Sequence, residues 1–86
     1  MYALEVSDKL KKELAKLAKK SPKQAKIITG KIRQILDNPC HFKPLRGDMK
    51  GTRRVHIDKS FILTYEIDEN DLVIRLLDYD HHDKIY

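Results

Sequence analysis

Arg54 and His56 stand two residues apart in a segment that alternates polar and apolar, Arg53-Arg54-Val55-His56-Ile57-Asp58. As a strand, this segment puts a guanidinium and an imidazole side by side on one face and Val55 and Ile57 on the other. Arg53 lies one step off that face, at the strand entrance, from where it is expected to swing towards it. Thr64 and Arg75 join the face on neighbouring strands if the register matches. Lys43, Arg46 and Lys50 precede the strand, and His81, His82, Lys84 and Tyr86 return near the end of the sheet. A basic surface with imidazoles at both ends suits binding a phosphodiester and moving protons. RNA cleavage asks for little more, because the ribose 2′-OH is itself the nucleophile. One group takes its proton, another protonates the leaving 5′ oxygen, and cations hold the charged phosphorane. Histidine performs either transfer near neutral pH, and arginine offers paired donors to the phosphate oxygens. His56 with His82, plus Arg53 or Arg54, meets that list.

Plainer readings stand beside this one. His56 also fits an ordinary half-exposed sheet residue, and His81-His82 a solvated tail. Neighbouring histidines cannot easily ligate one ion together, and the single Cys40 excludes both an internal disulfide and a four-cysteine zinc site. Asp78, Asp80 and Asp83 lack the glycine and terminal glutamate of a calcium loop. Nothing places an activating base beside Cys40, and Gly47 and Gly51 are too sparse for a phosphate loop. No metal and no cofactor are therefore expected.

These residues are positioned by six elements. Tyr2 to Val6 suits a first strand. Ser7 or Asp8 caps a helix with Leu10, Leu14, Leu17 and Ala18 at helical spacing. Ser21-Pro22-Lys23-Gln24 starts a second, with serine as cap and proline in the first turn. Its apolar side is Ala25, Ile28, Ile32, Ile35 and Leu36, and Asn38-Pro39 ends it. Gly30 inside this helix costs about 1 kcal/mol against alanine, and close packing of the first helix is one reason to keep it. Three strands follow: Arg53 to Asp58, Phe61 to Ile67 and Leu72 to Leu77, with an Asp- and His-rich tail behind. Phe61, Leu63, Tyr65 and Ile67 share the face expected to meet the helices. The order β-α-α-β-β-β predicts an α+β fold, a helical hairpin packed on one face of a small, mainly antiparallel twisted sheet whose other face is partly open.

Eighty-six residues leave room for one domain, residues 1–86, with a thin core. No apolar run approaches the roughly 20 residues of a membrane span, and no signal peptide is visible, so a soluble cytoplasmic protein without membrane contact is expected. The net charge of +5 hides an asymmetry: residues 1–56 carry 15 Lys/Arg against 5 Asp/Glu, and residues 57–86 carry 3 against 8. Such a basic side points to nucleic acid, an anionic membrane or an acidic protein, or to a solvated lysine-rich helix surface.

Over nearly its whole length the chain resembles the RelE/ParE superfamily of toxin–antitoxin toxins, its middle block being nearest the YafQ-like branch. The residues that carry the resemblance are Lys43-Pro44-Leu45-Arg46-Gly47, Gly51-Thr52-Arg53-Arg54-Val55-His56-Ile57, Phe61-Ile62-Leu63-Thr64-Tyr65 and the tail from Leu76 to Tyr86. The resemblance implies a ribosome-dependent mRNA endonuclease acting in the decoding site, held inactive by a small RelB-like antitoxin, in a heterotetramer with it. It matches His56 to a strand histidine of the active site, His82 to the most important catalytic histidine, Arg54 to the basic residue opening the strand, and Tyr86 to a functional tyrosine. Three positions depart: Ser60 replaces an acidic catalytic residue, Ile62 a strand arginine and Lys43 a histidine. They leave open slower cleavage, compensation by His81 or Lys50, or lost activity. Two other classes stand: a ParE-type inhibitor of DNA gyrase, and a degenerate module that binds RNA or sequesters its antitoxin.

Overall fold

Serines at two helix starts set the front half of the chain. In the computed structural model, which describes residues 2–42 and 52–81, strand β1 (Ala3–Val6) leads through Ser7 into helix α1 (Asp8–Lys20). The Ser7 hydroxyl accepts the Leu10 amide at 3.2 Å, satisfying one of the amides a helix start leaves unpaired. Ser21 then does two jobs. Its own amide donates to the Leu17 carbonyl, closing α1, while its hydroxyl accepts the Gln24 amide and opens α2 (Pro22–Asp37). One residue thus makes the hairpin turn, and proline at the next position fits a helix start because its missing N–H is not needed there.

The back half is β2 (Thr52–Ile57), β3 (Phe61–Asp68) and β4 (Val73–His81). Spatial order is β1-β4-β3-β2, with β1 parallel to β4 and the other pairs antiparallel. The α+β arrangement expected from the sequence is the one observed. Leu10, Ile28 and Ile35 of the hairpin meet Val55, Ile57, Leu63, Tyr65, Ile74 and Leu76 of the sheet in one core cluster. Full burial of such side chains contributes roughly 1.5–3 kcal/mol each.

Three expectations need correcting. The last strand does not end at Leu77 but runs to His81, so Asp78 to His81 are sheet, not tail. The cause is an irregularity in the pairing: Tyr65 sits opposite Leu76, Thr64 sits opposite Asp78, and Leu77 is the extra residue, left exposed. A bulge of this kind reverses which residues face the core. Ile74 and Leu76 point to the helices before it; Tyr79 does so after it, with Gln24 Nε2 of α2 donating to its hydroxyl. The face away from the helices is also less open than expected, since Thr52, Ile62 and Thr64 are all buried there. Gly30, finally, is not a close-packing position. A methyl group on it would meet nothing within 4 Å among the described residues.

Gly30→Ala should therefore stabilise the protein by up to about 1 kcal/mol, the helix-propensity difference between the two residues. Equilibrium denaturation checks this; an unchanged or lowered midpoint would show that the glycine serves the fold in another way.

Candidate functional site

Edge strand β2 carries the site, and the strand register arranges its surroundings in rows. On the face away from the hairpin, His56 lies opposite Ile62, which lies opposite Asp80; Arg54 lies opposite Thr64, which lies opposite Asp78. The third row runs Thr52, Glu66, Arg75, Glu5 across all four strands. In the first two rows basic side chains border the edge, small or apolar ones form the middle, and carboxylates stand on β4. Asp78 and Asp80 reach this face only because of the extra residue at Leu77. Ile62, between the His56 and Asp80 positions, is fully buried.

Arg75 is on this face, as its register requires, but its charge is answered inside the sheet. Its Nε lies 3.3 Å from Glu5 Oε1, its Nη1 3.4 Å from Glu66 Oε2 and its Nη2 3.0 Å from Asp68 Oδ2. It ties β1, β3 and β4 together and is not placed to serve a phosphate. The amides of Asp71 and Asn70 both donate to Asp68 Oδ1. Those amides, Asp71's above all, together with Arg75, hold the Asp68 carboxyl below its ordinary range.

Arg53 is also used differently from expectation. Alternation puts it on the helix-side face with Val55 and Ile57, and its Nη1 donates to the Phe42 carbonyl at 2.7 Å. Its Nε is buried and has no partner among the described residues. Beside it, the Tyr65 hydroxyl donates to the Pro39 carbonyl at 2.7 Å. Burial pushes the Tyr65 pKa up to about 12 despite the opposing pull of Arg53, so the phenol remains a donor. Two sheet side chains thereby fix the stretch that follows α2.

His81 is separated from His56. It ends β4 on the helix-side face, its ring edge-on to Phe61 at 5.4 Å between centroids, with Phe61 in turn stacked on Tyr79 at 5.2 Å. The two imidazoles belong to opposite faces of the sheet, so the surface does not have His56 and His81 at its two ends. His82, Lys84, Tyr86, Lys43, Arg46 and Lys50 lie outside the described residues.

Along the outer edge of β2 runs a groove of about 350 Å³, lined among the described residues by Lys31, Phe42, Arg54, Val55 and His56. Lys31 and Phe42 were not candidates on sequence grounds. Lys31 passes for one more lysine on a basic helix, and Phe42 falls in a stretch without periodicity; a lone aromatic just past a proline break was the available signal. The Lys31 ammonium lies 5.7 Å from the centroid of the Phe42 ring, and His41 meets that ring edge-on at 4.9 Å. The groove therefore combines an aromatic surface, two cations and an imidazole. That set suits an anionic, partly aromatic ligand. Above it the helical hairpin carries ten Lys/Arg against three Asp/Glu. Among the described residues no helix is long and apolar enough to cross a membrane.

Comparison with known proteins gives these features a context. Residues 4–86 match the sequence model of the ParE toxin of type II toxin–antitoxin systems. An uncharacterised protein of Methanosarcina mazei is 49% identical over 86 residues, all of both chains. A Methanocaldococcus jannaschii protein that bears the toxin name RelE4 is 45% identical over all of this chain and 92% of its own. Among solved structures, the YoeB/ParE toxin from Agrobacterium tumefaciens superposes with a TM-score of 0.83 at 17% identity, covering 93% of this chain and 98% of that one. The isolated Escherichia coli RelE toxin gives 0.81 at 20%, covering 94% and 84%. A chain of the intact E. coli RelBE toxin–antitoxin complex gives 0.78 at 22%, covering 92% and 94%.

The Arg75 cluster yields a pH prediction. Because the Asp68 pKa is lowered by folding, the stability it contributes is fully present above its ordinary value of 3.8 and is lost as pH falls through the folded value. Asp68→Asn keeps an oxygen for the two amides but removes the charge facing Arg75. Denaturation midpoints should show the variant less stable at pH 7, with the gap to wild type closing below pH 3.8. A gap of the same size at pH 3 and pH 7 would contradict the assignment.

Proposed function

Because the chain belongs to the RelE/ParE superfamily of type II toxin–antitoxin toxins, we propose that this toxin acts as a ribosome-dependent mRNA endoribonuclease, independent of metal, and that a cognate antitoxin neutralises it. The observation that carries the reading is the placing of Arg54 and His56 on one face of an edge strand, where both line a groove of about 350 Å³. Gyrase inhibition needs no imidazole there.

In this mechanism His56 accepts the proton of the ribose 2′-OH as the 2′ oxygen bonds to phosphorus. The P–O5′ bond breaks, and His82 gives a proton to the departing 5′ oxygen. The products are a 2′,3′-cyclic phosphate and a 5′-hydroxyl, so atoms and protons balance without water or metal. Arg54 meets the negative charge that grows on the phosphoryl oxygens, where paired guanidinium donors count most. Tyr86 completes the reacting group, while Lys43, Arg46, Lys50 and Lys84 hold the RNA backbone. The RelBE complex among the structural neighbours supports an antitoxin as partner. A basic hairpin next to an edge strand fits an acidic amphipathic segment of such a partner. Cytoplasmic action follows from a ribosomal target.

A second reading has one observation behind it: the family model that matches is that of the ParE toxin, which favours a protein-binding inhibitor of DNA gyrase.

Primer extension on an mRNA held in a programmed ribosome, with EDTA present, separates the two. The nuclease reading expects stops near the decoding site, weakened about 10²-fold or more in rate by His56→Ala or His82→Ala. Absence of stops together with inhibition of gyrase supercoiling would replace it by the second reading.

A further inference from the structure

We propose that Phe42 and Lys31 form a nucleotide-binding end of the groove: the Phe42 ring stacks on one unpaired base of the RNA, and the Lys31 ammonium leaves that ring for the phosphate of the same nucleotide. The proposal rests on the endoribonuclease reading and adds a base site and a phosphate contact to it.

Three observations carry it. First, the groove has the size of a small-ligand site, about 350 Å³, and brings Phe42 within reach of the strand that bears Arg54 and His56. Second, the ring is held in place from beneath. Arg53 fixes the Phe42 carbonyl, and Tyr65 fixes the Pro39 carbonyl three residues earlier. The sheet uses two of its helix-side positions to order a stretch held otherwise by a turn in which the His41 amide donates to the Asn38 carbonyl, and Phe42 comes out half-buried, packed against the margin of the core and lining the groove. Third, Lys31 lies over the ring at 5.7 Å. A cation over a half-buried aromatic ring at the protein surface is held more weakly than a stacked base, and RNA offers the cation a phosphate in exchange. The contact therefore keeps both partners ordered before RNA arrives and is readily given up when it does. Arg54 supplies the second cation of the groove, on the side of the reacting phosphate. Because every base has a stacking face, the site contributes affinity and placement more than sequence preference.

The test is single-turnover cleavage of mRNA in programmed ribosomes over a range of toxin and salt concentrations, with thermal melting of each variant alongside. Phe42→Leu should raise the half-saturating toxin concentration about tenfold with little change in melting, and Phe42→Trp should restore it. Lys31→Gln should lower the slope of log affinity against log salt by about 0.7, the loss of one single-strand phosphate contact. Wild-type affinity in Phe42→Leu, or no rescue by tryptophan, would overturn the base site while leaving the nuclease reading intact. An unchanged salt slope in Lys31→Gln would overturn the phosphate contact. If Phe42→Leu weakens antitoxin binding but not cleavage, the groove serves the protein partner and the proposal fails. If the wild type does not cleave at all, the proposal falls together with the reading beneath it.

Discussion

One extra residue in β4 decides what the rest of the sheet can be. Up to Leu76 the strand turns its even-numbered side chains towards the helices. If that alternation continued, Asp78 and Asp80 would enter the core, and an unpaired buried carboxylate costs several kcal/mol. Leu77 drops out of the pairing between Tyr65 and Thr64, and the side chains beyond it change faces. Tyr79 then comes under α2, where Gln24 meets its hydroxyl and Phe61 its ring. The two aspartates go to the face that carries Arg54 and His56. Core and site are thus settled by the same irregularity, and neither can be altered there without the other.

The second constraint is the junction between hairpin and sheet edge. α2 ends where the Asn38 amide closes on Gln34, and residues 38–42 that follow are neither helix nor strand. Tyr65 and Arg53 take over that task from the sheet. Since Tyr65 is a core side chain and Arg53 stands next to Arg54, the packing of the interior is transmitted to the groove wall through two hydrogen bonds. Arg75 plays the matching part at the other side of the sheet, where β1 has only β4 to pair with and gains a second hold through Glu5.

Much of the fold was legible in the residues because it rests on local rules. Ser21-Pro22 announced a helix start, Asn38-Pro39 an end, and the alternation from Phe61 to Ile67 a strand with a defined inner face. The bulge was not legible: Leu76-Leu77 offers two adjacent apolar residues, and only the partner strand decides which one faces inward. For the site, Arg54 and His56 could be read as neighbours from alternation alone. The burial of Ile62, the capture of Arg75 by three carboxylates and the diversion of Arg53 to a backbone carbonyl depend on residues distant in sequence. His81 was misplaced for the same reason as the end of β4. Phe42 and Lys31 meet where two clamps hold the Pro39 and Phe42 carbonyls, and neither residue type marks itself as special in isolation.

In the proposed reaction the RNA provides its own nucleophile and this toxin supplies proton transfer and charge. The most direct test is to place a single 2′-deoxynucleotide at the scissile position of an mRNA held in the ribosome and to identify the ends of the products. With the 2′ oxygen as nucleophile, the deoxy substitution abolishes cleavage at that position, and the all-ribose message yields 2′,3′-cyclic phosphate and 5′-hydroxyl ends. Cleavage that persists at the deoxynucleotide, or that leaves 5′-phosphate ends, would contradict it.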